Sequence, residues 1–330
     1  MQEYSLSEKI KVASFLCTIM VVLRHSLNHI AFWNEWRSDL LAGTIEGGFS
    51  ILTQIAVPYF FLVSGFFFLK KSYYDNSYLV MFKKKWKTLI VPYILWNIIG
   101  LAEQVLAREY QFISIDLFLY DFLLSEWNGP LWYVRTLILF MFLYPLYGWI
   151  FKINSYLLHF VVLVFLLYLW MPVDCRVLST EGLLFFYIGG CLQKYSFLLD
   201  KTFDKLKVLL ACLFWVIVCF IQPMWCKLTS HVITLFGIVV FWNLVDFMPS
   251  RFVNKILKVA GLSFFIYANH VYPLKAIKIT FAKLFPGNEI VALFVYFFAP
   301  IVVVIVFTYI GLLLQKKAPK IMAFVTGGRS

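Results

Sequence analysis

Long, nearly uninterrupted apolar stretches are what most constrain this chain. A helix needs about 20 consecutive apolar residues to cross the hydrocarbon core of a bilayer. Such stretches recur at roughly 10–32, 47–69, 88–106, 130–151, 155–171, 179–194, 206–222, 231–248, 258–279 and 290–314. Within lipid every backbone polar group must be paired inside the protein, so only helices and closed barrels can span. The strand-type alternation and short regular turns of a membrane barrel are missing. The pattern predicts an all-α polytopic membrane protein with about ten transmembrane helices. Composition agrees, with 62% hydrophobic and 14% charged residues against about 45–50% and about 25% in soluble domains. The bilayer is therefore the expected solvent. A soluble enzyme, a disordered chain and a nucleic-acid-binding domain are excluded, despite a net charge of +12.

The placement of that charge sets an orientation, because lysine and arginine collect on the cytoplasmic side. With the N-terminus inside, the inner segments hold Lys9, Lys11, Lys70, Lys71, Lys83, Lys84, Lys85, Lys87, Lys152, Lys194, Lys201, Lys205 and Lys207. Arg251, Lys255, Lys258, Lys316, Lys317, Lys320 and Arg329 follow on the same side. The opposite loops carry Glu35, Asp39, Glu46, Glu109, Asp116, Asp121 and Glu126. Both termini are expected in the cytoplasm. Lys275, Lys278 and Lys283, after the ninth span, run against the pattern. The first span lacks a small-residue cleavage site, and Arg24 and His25 interrupt it, so it is expected to remain in the mature protein. Residues 1–330 read as a single membrane domain. The long loop 107–129 contains the apolar stretch Leu117 to Leu124, expected to lie along the membrane surface or cap the bundle.

Six cysteines (Cys17, Cys175, Cys191, Cys212, Cys219 and Cys226) form no C-x-x-C pair. They predict neither a disulfide framework nor a zinc site.

Ionisable residues within spans are costly and count as functional candidates. They are Arg24, His25, His29, Glu103, Arg135, Glu181, Asp246 and His270. Glu103, Asp246 and Lys275 fall near span ends, where snorkelling to water suffices. His25 lies about fifteen residues from the inner boundary, roughly 22 Å at 1.5 Å per residue. At about 100° per residue, Lys11, Ser14, Thr18, His25 and His29 form one polar stripe. Such a stripe must face other helices or a water-filled cavity, and imidazole suits proton transfer near neutral pH. His25 and His29 also form an H-x3-H pair, but the glutamate of the zincin H-E-x-x-H pattern is replaced, so no metal is expected. The basic run Lys83-Lys84-Lys85-Trp86-Lys87 has two readings, an anchor for anionic lipid heads or a landing site for the phosphates of a nucleotide-like molecule.

Six motifs in order resemble those of the integral membrane acyltransferases of family 3, which O-acylate bacterial cell-surface glycans. Val21-Val22-Leu23-Arg24-His25 is similar to the opening helix, which ends in that family's essential histidine. Val57-Pro58-Tyr59-Phe60-Phe61-Leu62-Val63-Ser64-Gly65 resembles its second-span signature, and Val91-Pro92-Tyr93-Ile94-Leu95-Trp96 its third-span start. Further on come Gly129-Pro130-Leu131-Trp132-Tyr133-Val134-Arg135, Phe185-Phe186-Tyr187-Ile188-Gly189-Gly190 and Ser263-Phe264-Phe265-Ile266-Tyr267-Ala268-Asn269-His270. There are departures. Ser14 stands where the family commonly has arginine or lysine, with Lys11 one turn lower, and Lys84-Lys85-Trp86-Lys87 stands for the family's R-x-x-R. No appended esterase-like domain is expected.

The resemblance implies transfer of an acyl group, most often acetyl, from a cytoplasmic coenzyme A thioester to a hydroxyl of a cell-surface glycan or its lipid-linked precursor, in a bacterial inner membrane. Phosphates of acetyl-CoA would sit near Lys11, Lys84 and Lys87, with the pantetheine arm passing Ser14. His25 would act as general base or carry the acyl group covalently. Ser64, Tyr133 and Arg135 would be donors to the carbonyl oxygen, with Trp132, Glu181 and His270 as further substrate-binding or transition-state groups. The rival reading is a multi-span transporter or flippase. It is opposed by the lack of half-to-half similarity and by few mid-membrane carboxylates, although Pro58, Pro92 and Pro145 could break helices.

Overall fold

A computed structural model describes residues 5–37, 39–72, 78–171, 177–195, 203–221 and 227–328. Cys175, Arg176, Lys201, Cys226 and Arg329 lie outside the described residues, as do the side chains of Lys70 and Lys71. Every regular element among the described residues is helical. The chain forms two compact units, Met1–Tyr59 with Lys201–Leu313, and Phe60–Asp200 with Leu314–Ser330.

Among the described residues four helices are long and apolar enough to cross a membrane: Leu41–Leu69, Phe82–Leu106, Leu228–Phe247 and Glu289–Lys317. A fifth candidate is the pair Gly129–Phe142 and Tyr144–Lys152, bent by 60°. The remaining apolar stretches are shorter or broken helices, such as Tyr156–Trp170, Thr180–Lys194 and Lys205–Ile221. The stretch 10–32 is divided into Leu6–Arg24 and His29–Trp33, and 258–279 into Ser263–Asn269 and Val271–Leu284.

Prolines explain most of these breaks. A proline cannot donate to the carbonyl four residues before it, and its ring crowds that carbonyl. Pro58 follows the turn at Gln54 and Ile55, Pro145 the bend at Leu143, and Pro273 the break at His270. Pro92 removes the donor for the Thr88 carbonyl, and here the helix widens into a π-turn over Trp86–Ile90, with the Val91 N–H donating to the Trp86 carbonyl. Pro300 is different, because helix Glu289–Lys317 runs through it. The Tyr296 carbonyl that it orphans is taken by the Ser26 hydroxyl at 3.0 Å.

In the second unit, glycines set the packing. A Cβ on Gly65 would lie 1.9 Å from the Phe186 carbonyl oxygen, and one on Gly189 would lie 1.9 Å from that of Leu62. Two of the sequence motifs are thus the two sides of one close helix crossing. Around it packs an aromatic core, with ring centres of Phe140 and Phe186 at 4.7 Å and of Tyr147 and Phe186 at 5.3 Å. Loop 107–129 contains helix Ile115–Leu124, whose last carbonyls are capped. Tyr93 donates its hydroxyl to Phe122 and Leu123, and Arg135 donates to Leu124.

Candidate active site

The first helix opens with a capping box between Ser5 and Glu8. Lys9 is buried, pairs with Asp246 at 2.7 Å and lies 4.1 Å over the Trp242 ring. Asp246 stands in the closing turn Val245–Phe247, partly exposed as expected of a residue near a span end, and it is also the ion-pair partner of Lys9. Lys11 is exposed and Ser14 half-buried. Eleven residues separate Ser14 from His25, a rise of roughly 16 Å.

The helix stops at Arg24, and the reason lies far away in sequence. Helix ends leave carbonyls without intrahelical donors, and a cation is the natural partner for them. Lys278 supplies it, donating from Nζ to the carbonyls of His25 at 2.9 Å and Leu27 at 3.0 Å. The following turn is held from other directions. Asn28 donates its backbone N–H to Glu46 Oε2 at 2.8 Å and its Nδ2 to the Ala292 carbonyl at 2.7 Å. Ser26 is held by Tyr296, as described, and Arg24 donates to the Ser50 carbonyl. The predicted stripe is corrected accordingly. Lys11, Ser14, Thr18 and His25 follow one helical path, whereas His29 begins a separate short helix.

Three of the residues that hold this turn were missed as site residues by sequence reasoning: Glu46, Lys278 and Asn28. In sequence Glu46 reads as an outer-loop acid, yet it is fully buried. Lys278 carried a signal, since it was among the cations on the wrong side of the charge pattern.

His25 caps the helix with its side chain exposed. Its ring lies edge-on to that of His270, with centroids 4.9 Å apart and planes at 60°. His270 is fully buried, and its Nδ1 lies 2.6 Å from the Tyr267 carbonyl. A carbonyl only accepts, so His270 carries its proton on Nδ1 and Nε2 is a bare acceptor. His29 is of the opposite tautomer, because its Nδ1 accepts the Arg37 backbone N–H at 3.3 Å. Its Nε2 lies 3.4 Å from Glu46 Oε2, and the Trp36 ring packs against it with centroids 4.0 Å apart and planes tilted by 36°. Above it, Arg37 grips Asp39 with Nε and Nη2 at 2.9 and 2.7 Å. That bidentate fork pulls the Asp39 carboxyl down to about 2. Among the described residues no group of three or more histidine, cysteine or acidic side chains could hold a metal ion.

The other predicted site residues belong to the second unit. Ser64 Oγ and Tyr133 Oη are 2.7 Å apart, and Tyr133 donates to the Phe60 carbonyl at 3.2 Å, so Ser64 donates to Tyr133. Trp132 packs on Phe61 at 5.8 Å. Arg135 is on the Leu124 carbonyl. Glu181 stands in the first turn of helix Thr180–Lys194, after the Ser179 cap, where the helix dipole favours a carboxylate. Lys84, just before the π-turn, and Lys87, within it, are exposed. The structure thus brings His25 to His270, and Ser64 to Tyr133.

Comparison with known proteins gives the class. A family described as an acyltransferase domain, acyltransferase 3, matches residues 9–309. The chain belongs to this family. It is also 24% identical over 305 residues to the succinoglycan biosynthesis protein ExoH of Rhizobium meliloti (strain 1021), covering 84% of this chain and 80% of that protein. No solved structure matches the chain. The family resemblance carried by the motifs is the right one, and the acyltransferase reading is favoured over the transporter.

Proposed function

We propose that this chain is a membrane O-acyltransferase that moves an acetyl group from cytoplasmic acetyl-CoA to a hydroxyl of a cell-surface glycan or its lipid-linked precursor. It would act in a bacterial inner membrane, crossed about ten times with both termini cytoplasmic. The observation that carries this reading is His25, an exposed imidazole on a turn tied down by Lys278, Glu46 and Tyr296 in an otherwise apolar chain. The family match and the likeness to a succinoglycan biosynthesis protein support an acyl transfer and a polysaccharide acceptor.

In this mechanism His25 takes the proton of the acceptor hydroxyl as the oxygen attacks the thioester carbonyl. The C–O bond forms while the carbonyl electrons move to oxygen. Collapse of that intermediate breaks the C–S bond, and the departing thiolate takes the proton from the His25 imidazolium. A positioned base of this kind contributes about 10²–10⁴-fold, provided that its turn does not drift. Lys84 and Lys87 would meet the donor phosphates as point charges, assisted by Lys11, with Ser14 along the pantetheine arm. Arg135 is the proposed donor to the carbonyl oxygen; Ser64 and Tyr133, whose protons go to Tyr133 and the Phe60 carbonyl in the free protein, would have to turn toward substrate to join it, and Trp132, Glu181 and His270 are the proposed supporting groups.

The test uses purified protein in liposomes with acetyl-labelled coenzyme A and a crude surface-glycan extract. Label should reach glycan, and Lys84→Gln with Lys87→Gln should raise the donor KM about tenfold, more at low salt than at high salt. Well-folded protein that neither binds nor consumes any of several acyl-CoA donors would contradict the proposal.

A further inference from the structure

His270 sits at the break that Pro273 makes, fully buried, with Nδ1–H committed to the Tyr267 carbonyl. Among the described residues its Nε2 has no hydrogen-bond partner. A buried acceptor without a donor is costly, and native proteins rarely leave one idle. The ring beside it is that of His25. Neutral imidazole has one N–H and one lone pair, so His25 can satisfy His270 with one nitrogen and keep the other bare. Hydrogen bonds at reacting groups are often long or misaligned before substrate is bound, which accommodates two rings in edge contact.

We propose that His270 is a positioning residue for His25: its Nε2 accepts the His25 N–H and so leaves the other His25 nitrogen bare to receive the acceptor proton. This rests on the reading of His25 as the base. The chain of groups runs from the Tyr267 carbonyl through His270 and His25 to the acceptor hydroxyl, the same order of orienter, base and nucleophile that activates hydroxyls elsewhere. Only the hydroxyl proton moves, first to His25 and then to the departing thiolate. His270 keeps its own proton throughout, and its lone pair favours the imidazolium that forms next to it. A hydrocarbon side chain in its place would leave His25 free to rotate and to present the wrong tautomer.

The readout that separates positioning from mere packing is the pH profile. Among the described residues, Arg24 on the first helix and Lys278 on Val271–Leu284 act on the pair directly, and behind them stand Glu46 on Leu41–Thr53, Lys275 beside Lys278, and Tyr296 on Glu289–Lys317. All of these remain in a His270→Phe variant, so any displacement belongs to His270. The rate needs neutral His25, so kcat/KM falls on the acid side as His25 gains a proton. Removing a lone pair that favours the imidazolium moves that acid limb to lower pH.

The experiment compares native protein, His270→Phe, His270→Gln and His25→Ala in the same liposome assay. His270→Phe should lose about 10²-fold in kcat, keep its KM for acetyl-CoA, and shift the acid limb down by about one pH unit. His270→Gln, which retains an acceptor oxygen, should recover part of the rate and most of the limb position. Should His270→Phe fail to fold, His270→Ala replaces it against His270→Gln, and equal acid limbs in those two would overturn the inference. A folded His270→Phe with the native limb and kcat would overturn it as well, while leaving the loss in His25→Ala intact. Transfer that survives His25→Ala would instead remove the base reading, and this inference with it.

Discussion

Replacing Lys278 by methionine keeps the length and most of the apolar contact of the side chain but deletes its ammonium. Two carbonyls, those of His25 and Leu27, then lose a charged donor at 2.9 and 3.0 Å. Hydrogen bonds to charged groups are worth about 1.5–3 kcal/mol each. Lys278 is half-buried, so water can take over part of the loss, and a total of about 2–4 kcal/mol is expected. The buried Glu46 carboxyl also loses a neighbouring cation. The turn that carries His25 should relax, and a shift on the order of 1 Å at a reacting group costs about 10²-fold in rate. Lys278→Arg restores a cation with several donors and should recover much of both losses. Thermal unfolding in detergent reads the first effect, and transfer rate in liposomes reads the second. If Lys278→Met melted within about 0.5 kcal/mol of native and transferred at the native rate, the argument that this lysine ends the first helix and fixes His25 would be wrong.

Three further outcomes follow from the packing. Gly65→Ala and Gly189→Ala each drive a Cβ to 1.9 Å from a backbone oxygen of the opposing helix, so each should cost about 2–3 kcal/mol, read as a lower melting temperature, whereas Gly129→Ala, with open space, should cost less than about 1 kcal/mol. Lys194 donates to the carbonyls of Phe151 and Ile153 at 3.0 and 2.8 Å and lies 3.2 Å from His159 Nε2; Lys194→Met should lower stability by about 1–3 kcal/mol with the KM for acetyl-CoA unchanged, measured by melting and kinetics together. Ser26→Ala should destabilise native protein by about 1 kcal/mol, because the Tyr296 carbonyl then has no donor, and should be nearly neutral in a Pro300→Ala background, where a backbone N–H returns.

The helical class and most apolar segments were legible because hydrophobicity is written along the chain itself. The breakers Pro58, Pro92 and Pro145 were legible for the same reason, since a missing N–H acts on the residue four earlier. The interruption after Arg24 was not, because its cause is Lys278, more than two hundred residues away, and no local signal at 25–28 announces it. Extending the helix through His29 therefore gave that residue the wrong register. The motif glycines were visible as motifs, but that Gly65 and Gly189 meet is a fact of helix packing. Glu46 illustrates the same limit, because its place in an acidic outer loop and its burial against Asn28 look alike in sequence. His270 was recognised as a candidate from its motif, whereas its tautomer depends on where the Tyr267 carbonyl points.

Proton chemistry by His25 in acyl transfer is tested most directly by a single-turnover measurement in liposomes preloaded with acetyl-labelled coenzyme A on the cytoplasmic side. Native protein and His25→Ala are matched for insertion and for donor affinity before acceptor glycan is added. Label should reach glycan with native protein, and the rate should be at least about 10²-fold lower with His25→Ala at equal donor binding. Equal rates in the two proteins would contradict that role for His25.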